Sequence, residues 1–551
     1  MATTVKPLER STSFAVRVIA RILVVAVLAL VPAAVRAETC APNCQFLTAA
    51  DATDAVRTAA TAISPTSVVI AVVDRSGVPL AVYLGPTATA ADVIVGNFGT
   101  LVNAQDYAVG LARTGAFFSN NQAPLSSRTV RFISGIHFPP GIENKPNAAL
   151  YGIENTNRGC TFNLGANIAN NFNAGQDIPR ATSVVNGTTC QNDNTSGCGS
   201  GIVTGKADIF DSDPARVDGG GVPIFKNGEL VGGIGVTGVG IDKNVTEFAA
   251  FTGSIPGPGF GPRVPDPGVI YLDGIALPFV KNTKRPPGVG TGVFVPNFTV
   301  GPNDSPNLGN GVPSGYLVGG AANPLGSAQL TPNSVREVIS RGNNEAYLTR
   351  AAIRLPLGST TRMVLAVSDL AGNILALFRM PDATIFSVDV AVAKARNAVY
   401  FSSRTRNPAD IPGVPLGTAI TARTISFGAQ PLYPVGIDGT RSGPFFGDFT
   451  QDVANPCTQG FQPGVDNNRS GIVFFPGSIG LYSGLDLVGG LGVSGDGVEQ
   501  DDFVTAAAVA QINCPLCAPN FTPKPEIRAD RVIIGDVRLP FFKFPRNPEV
   551  R

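Results

Sequence analysis

The chain has 551 residues, 44% of them hydrophobic and only 15% charged, which is enough apolar material for more than one core. Lys and Arg number 41 against 40 Asp and Glu, and this balance excludes a basic field for nucleic acid and an acidic solvating tail. Gly (64) and Pro (45) make up about a fifth of the chain, a level that points to long loops and turns rather than wholesale disorder.

The N-terminus reads as a secretory signal. Lys6, Arg10, Arg17 and Arg21 precede the apolar run Ile22–Val31, Pro32 breaks it, and Val35-Arg36-Ala37 places a cleavage site after Ala37. The run is too short to span a membrane comfortably. Residues 1–37 are therefore expected to be removed, leaving a periplasmic or extracellular protein with no membrane association. All eight cysteines, Cys40, Cys44, Cys160, Cys190, Cys198, Cys457, Cys514 and Cys517, lie beyond that site. An even number in an exported chain predicts disulfides. Cys514-x-x-Cys517 also has the spacing of a zinc or redox pair, but His137 is the only histidine, and Ala518 excludes covalent haem attachment.

After the signal, an Ala-rich helix is predicted over Ala49–Ile63. The run Val68–Val82 contains an Asp74-x-x-Gly77 turn and reads as a hairpin. A helix over Asp106–Ser119 follows, then a loop segment carrying Arg128, Thr129, His137 and Cys160. A glycine-rich strand over Val231–Gly238 and a short helix around Phe248 close the series.

The series then repeats. A helix is predicted over Pro332–Ile353, a hairpin over Met363–Leu377 with Asp369 and Gly372, and a helix over Asp389–Ser402. A loop with Arg423, Thr424, Tyr433 and Cys457 follows, then the strand Val488–Gly495 and a helix around Phe503. Even the trailing segments correspond, Asp273–Phe279 with Gly535–Phe541. An internal duplication follows: copy 1 over 45–253, a Pro/Gly-rich linker with one or two strands over 254–330, copy 2 over 331–513, and a C-terminal tail over 514–551. Copy 1 carries an extra stretch before its second helix, around Gly96–Thr100. The element order predicts an α+β fold, each copy an antiparallel sheet packed with helices.

Copy 2 keeps the pattern Asp389-x-Ala391-x-x-Lys394-Ala395-x-x-Ala398. Copy 1 keeps Gly220-Gly-Val-Pro-Ile224 leading into Gly233-Ile-Gly-Val-Thr-Gly238, and copy 2 has Gly492-Val-Ser-Gly495 followed by Glu499-Gln-Asp501. Together these motifs resemble the GlcG/HbpS family of haem-binding or haem-degrading domains. The resemblance implies a profilin-like or PAS-like domain that oligomerises and binds haem or another small ligand. Copy 1 departs from it at Leu111, where copy 2 has Lys394, and both copies carry long insertions.

Gly233–Gly238 and Gly490–Gly495 also match G-x-G-x-x-G, but they fall within strands and lack an acidic residue at the dinucleotide spacing, so close backbone packing is expected. Asp74 and Asp369 are read as turn residues. Asp208, Asp211, Asp213 and Asp218 lack the glycine and terminal glutamate of a calcium loop. No G-x-S-x-G elbow occurs, and any triad would have to use His137. His137 is a candidate axial ligand for haem and otherwise an incidental loop residue; Tyr433 is the alternative in copy 2. Arg113 with Arg396, and Arg128 with Arg423, recur at equivalent positions and could receive a carboxylate, or form structural ion pairs. Lys394, Arg396, Arg423, Thr424, Tyr433, Arg113, Arg128, Thr129 and His137 are the candidate ligand-binding residues. Cys160 could pair locally with Cys190 or Cys198, or reach Cys457 in the other copy.

These readings point to an exported protein, non-catalytic or weakly so, that binds a small ligand, haem being the one the resemblance implies. No metal site and no nucleic-acid partner are expected, and the two copies are expected to form an intramolecular pseudo-dimer, with a homo-oligomer also open. A structural or protein-interaction module without a ligand is the alternative from another class. A haem- or flavin-dependent oxidoreductase is a third.

Overall fold

A computed structural model describes residues 45–95, 101–135, 150–151, 153, 219–262, 270–272, 275–300, 304–305, 312, 314–319, 324–435, 437, 439–454, 466–468, 471–510 and 520–550. In the first half these form α1 (Ala49–Ala62), β1 (Val68–Asp74), β2 (Pro79–Leu84), β3 (Val93–Val95), β4 (Leu101–Asn103), α2 (Ala104–Phe118), α3 (Ser127–Ser134), β5 (Gly221–Lys226), β6 (Glu229–Gly238) and α4 (Lys243–Gly253). Four short strands follow: β7 (Ile270–Leu272), β8 (Ile275–Leu277), β9 (Phe298–Val300) and β10 (Gly315–Val318). The second half has α5 (Pro332–Ala346), β11 (Val364–Ser368), β12 (Ile374–Arg379), α6 (Phe386–Ser402), α7 (Ala422–Gly428), α8 (Phe446–Ala454), β13 (Ser478–Ser483), β14 (Asp486–Ser494) and α9 (Val498–Val509). A last hairpin pairs β15 (Ile533–Ile534) with β16 (Val537–Arg538).

Two five-stranded sheets dominate. Their orders are β5-β6-β1-β2-β9 and β13-β14-β11-β12-β10, and every neighbouring pair is antiparallel. Strand for strand the orders are the same. The register irregularities coincide too. One falls between Val72 and Val73 and again between Val367 and Ser368. Another falls between Ile224 and Phe225 and again between Leu481 and Tyr482. Bulges re-aim a strand and are specific features of a fold, not noise.

Burial explains the central strands. β1 reads VVIAVVD and is buried at every position, as a strand covered on both faces must be. Its period-two alternation sends Val69, Ala71 and Val73 into one core with Ala108 and Ala112 of α2. Val68, Ile70 and Val72 enter a second core with Ala52, Val56 and Ala59 of α1. The G-x-G-x-x-G runs lie inside β6 and β14 and serve this packing. A Cβ on Gly233 or Gly235 would strike the carbonyl oxygens of Ala112 and Ala108, and one on Gly490 or Gly492 those of Ala395 and Ala391. Central helix and central sheet approach as closely as they do because these positions have no side chain. The Asp-x-x-Gly turns are likewise twinned. Asp74 Oδ1 accepts the N–H groups of Ser76 and Val78, both at 2.9 Å. Asp369 Oδ1 accepts those of Ala371 and Asn373 at the same distance. Gly77 and Gly372 close the turns at φ 83° and 79°, a region costly for other residues.

Three expectations need correction. The stretch 254–330 is more than a linker: β9 adds the outer strand to the first sheet beside β2, and β10 adds it to the second beside β12. The tail beyond 514 is not free over its described part, since Leu539 and Phe541 are 1% and 4% exposed. The helix predicted to run to Ile353 ends at Ala346. Thr349 Oγ1 donates to the Glu345 carbonyl at 2.8 Å, and the chain turns away to bridge Thr349 with Glu549. Side-chain bonding to the backbone competes with helix continuation at such a residue.

Candidate functional site

The site nominated by sequence gathers where α6, α7 and α9 meet the β13–β14 hairpin. Lys394, on the sheet side of α6, is fully buried. Its Nζ donates to the Val493 carbonyl at 2.8 Å and to Asp501 Oδ2 at 2.8 Å, and lies 4.7 Å from the centroid of the Phe475 ring. Burial lowers the Lys394 ammonium below its ordinary range against the pull of Asp501. It likewise raises Asp501, to about 7, against the pull of Lys394. Asp501 Oδ1 and Gln500 Oε1 are buried without a hydrogen-bond partner.

One residue on, Asp502 holds α7. Its Oδ2 accepts from Arg423 Nε and from the N–H of Lys543 at 3.0 Å, and its Oδ1 accepts the N–H of Gly477 at 3.1 Å. The short helix α7 begins with a capping box of Thr421 and Thr424. The same hydroxyls also grip a strap from the C-terminal segment. Thr421 Oγ1 donates to the Phe541 carbonyl at 2.6 Å and Thr424 Oγ1 to that of Pro540 at 2.7 Å.

The first half repeats this clasp residue for residue. Ser126 and Thr129 form the capping box of α3. Thr129 Oγ1 donates to the Pro278 carbonyl at 2.6 Å, and Ser126 Oγ to that of Phe279. Arg128 engages Glu247 through Nε and through Nη2 at 3.2 Å. Glu247 Oε2 also accepts the N–H groups of Lys281 and Asn282 at 3.2 and 3.1 Å. Arg113 and Arg396 are twinned as well. Each donates from Nε at 2.8 Å to the glycine carbonyl of its Asp-x-x-Gly turn, Gly77 or Gly372. Where Lys394 and Asp501 pair, the first half has Leu111 and Thr246. The equivalence is fixed by the glycines opposite: a Cβ on Gly477 would meet Asp501 and the Val493 carbonyl, and one on Gly220 would meet Thr246 and the Val236 carbonyl. Both members of the ion pair are absent together, which avoids a lone buried charge.

The described candidates are thus occupied by bonds within the chain. Lys394, Arg396, Arg423, Thr424, Arg113, Arg128 and Thr129 are engaged in bonds that hold helix, sheet and strap together. Tyr433 OH donates to the Ile534 carbonyl at 3.1 Å, with burial raising its phenol above the ordinary range. Of the two readings left open for the twinned arginines, the bonds within the chain match the structural one: a charged or hydroxyl side chain repeated at equivalent positions can belong to the fold's own bonding. His137 and all eight cysteines lie outside the described residues, as does the Asp208–Asp218 cluster. Among the described residues no group of His, Cys, Asp and Glu could hold a metal ion, and no helix is long and apolar enough to cross a membrane. The strap leads to an expected result. Thr424→Val should leave the half-buried Pro540 carbonyl without its donor, cost about 1 kcal/mol, and speed amide exchange across 539–543. Unchanged exchange there would refute the clasp.

Sequence reasoning missed the acidic partners. Asp502 and Glu247 carried no motif. Neither did Asp382, which joins Arg75 at 2.8 Å and Arg354 at 2.7 Å, nor Asp496, which accepts from Arg354 Nε. Burial pushes Asp382 upward, but Arg75 and Arg354 outweigh it and hold the carboxyl below its usual range.

Asp389 differs from all of these. It is half-buried on the first turn of α6, and burial alone pushes its carboxyl up to about 6. A native pKa above the unfolded value means that stability falls as pH rises through about 6. Asp389→Asn should therefore stabilise the protein by roughly 1–2 kcal/mol at neutral pH and by nothing below about pH 4. Denaturation midpoints of both proteins at the two pH values check this, and a gain of equal size at each would count against it.

The described residues define an α+β protein of antiparallel sheets overlaid by helices. Residues 346–510 match the family model described as haem degrading protein HbpS-like. Over 167 residues the chain is 28% identical to the corrinoid adenosyltransferase PduO of Salmonella typhimurium, a stretch covering 30% of this chain and 37% of that protein. The chain therefore spans little more than a third of that relative's length. Similar solved structures include a complex of PduOC with heme, at 22% identity and a TM-score of 0.22, covering 34% of this chain and 96% of that one. Klebsiella pneumoniae protein ORFY is similar at 20% identity and a TM-score of 0.21, covering 34% and 92%.

Proposed function

We propose that this is an exported protein that binds a small ligand, built from two GlcG/HbpS-like units of which the second carries the working site. The observation that carries the reading is the family match, which falls on residues 346–510, the half that retains Lys394 and Asp501. The shared strand order and the twinned clasps support two units of one origin. The basic and then apolar N-terminus, with its break at Pro32, supports export.

Haem is the first ligand to test, because the family description speaks of haem. The nominated side chains do not fit it as they stand. Lys394, Thr424 and Tyr433 are each buried and bonded within the protein, so none presents a free axial donor to an iron. Titration of the purified protein with haemin, followed in the Soret region, tests the ligand; a saturable shift is expected, and its absence would overturn haem.

The engagement of every described candidate favours a second reading, an interaction module with no small ligand. It requires a colourless protein that captures a protein partner and leaves haemin unbound.

A further inference from the structure

Apart from a ring contact between Tyr151 and Phe449, 5.0 Å apart, the two halves do not meet as symmetry-related equals. The first half contributes Arg75 in its β1–β2 turn, Phe117 and Phe118 at the end of α2, and Asn121 and Gln122 just after it. The second contributes the opposite end of its unit: Asp382 and Ile385 ahead of α6, Phe386 at its start, and Arg354 and Leu355 between α5 and β11. Arg75 reaches Asp382 at 2.8 Å, and the Asn121 N–H donates to the same carboxylate at 3.2 Å. The Ile385 N–H donates to the Phe117 carbonyl at 3.1 Å. The rings of Phe118 and Phe386 stack with centroids 4.2 Å apart. Gln122 Nε2 donates to the Leu355 carbonyl at 2.8 Å. Contact between unlike ends of like units is head-to-tail, and such contacts propagate into rings or filaments unless something stops them.

Each unused end carries an insertion that the other half lacks. Residues 380–385 join β12 to α6, whereas 85–103 join β2 to α2. The surplus folds as the β3–β4 hairpin over the start of α2. There the Ala104 N–H donates to the Asp92 carbonyl at 2.9 Å, and Ile94 packs on Tyr107 and Leu111. Val93 on this hairpin is 47% exposed, so the second half does not cover it. At the other unused end, 119–126 follow α2 but 403–421 follow α6. Tyr400 stands where the first half has Phe117, and its hydroxyl donates to Asp410 of this longer loop. Ile411 is fully buried and Val414 nearly so. The C-terminal segment pins the loop: the Ala419 N–H donates to the Ile527 carbonyl at 2.7 Å, and the Ala529 N–H donates back to Ala419 at 3.0 Å.

We propose that the β3–β4 hairpin and the 403–421 loop are end caps that stop head-to-tail association, and that what each cap excludes is a second copy of this chain. The capped chain is a closed pair of units. The contact between halves is its template, and the two insertions end the series at one repeat of that contact.

The test is the mass of the full chain by light scattering, from micromolar to hundreds of micromolar. The wild type is expected to hold the mass of one chain throughout. One variant replaces the hairpin with the short connection of the second half, and another replaces 403–418 with the short loop of the first. Mixed in equal amounts, they should form a complex of two chains, and a chain carrying both changes should grow in mass with concentration. A wild type that is already an oligomer overturns the proposal, as do folded variants that mix without associating. Should an excision fail to fold, Ile94→Asp with Asp410→Ala loosens both caps in place. Faster amide exchange in the caps with mass rising with concentration supports the proposal, and faster exchange at constant mass overturns it.

Discussion

Replacing Lys394 by leucine alone is expected to destabilise the second half by about 3–5 kcal/mol, the cost of leaving one partner of a buried ion pair without the other. Asp501 is 2% exposed and has lost water on every side. Its Oδ1 is already without a partner, so Lys394 is what makes its charge tolerable there. Adding Asp501→Thr should return most of the loss. The double variant places leucine and threonine where the first half has Leu111 and Thr246, and a buried ion pair replaced as a whole is often neutral or better. Urea denaturation midpoints of the wild type, the single variant and the double variant decide it. A double variant as unstable as the single one would mean that the pair is not what Lys394 supports.

The second large effect is expected at Arg354. Its guanidinium lies between Asp496, which is fully buried, and Asp382, to which Nη1 reaches at 2.7 Å while Nη2 donates to the Asp382 carbonyl at 2.7 Å. Nη1 also donates to Gln122 Oε1 at 3.1 Å, in the first half. Arg354→Met should leave the buried Asp496 without its ion-pair partner and Asp382 with Arg75 alone, cost about 3–5 kcal/mol, and weaken the coupling between halves. Calorimetry should then resolve two transitions where the wild type is expected to show one. The pH behaviour has a definite sign. The Asp382 carboxyl is held below its ordinary range, so its contribution is present above the unfolded pKa and is lost as pH falls through the native one. The coupling should therefore weaken in acid. A single transition in Arg354→Met, at the wild-type midpoint, would contradict this account of the junction.

Periodicity and turn chemistry make much of the fold legible. The hairpins around Asp74-x-x-Gly77 and Asp369-x-x-Gly372, the central helices and the glycine-rich strands all lie where local rules put them. In each case one short segment carries the whole signal. The short helices α3 and α7 read as loop in sequence because their boxes, Ser126-x-x-Thr129 and Thr421-x-x-Thr424, close with threonine instead of Glu or Gln. The edge strands β9 and β10 are hidden in Pro/Gly-rich sequence because three or four residues carry too little pattern. The site is legible only in part. The recurring sequence pattern marks Arg128, Arg423, Thr129 and Thr424 as important, but their partners Glu247, Asp502, Pro278 and Pro540 lie more than seventy residues away in sequence. Nothing local distinguishes an arginine that awaits a ligand from one already holding a carboxylate of its own chain.

The difference between the two halves sets the most direct measurement. Only the second retains the Lys394–Asp501 pair and the family match. A haemin titration of the intact chain, followed at the Soret band to its end point, counts the working sites. One equivalent bound per chain, unchanged when Leu111 and Thr246 of the first half are altered, is the result expected. Two equivalents would contradict a ligand site confined to the second half, and none would overturn haem as its ligand.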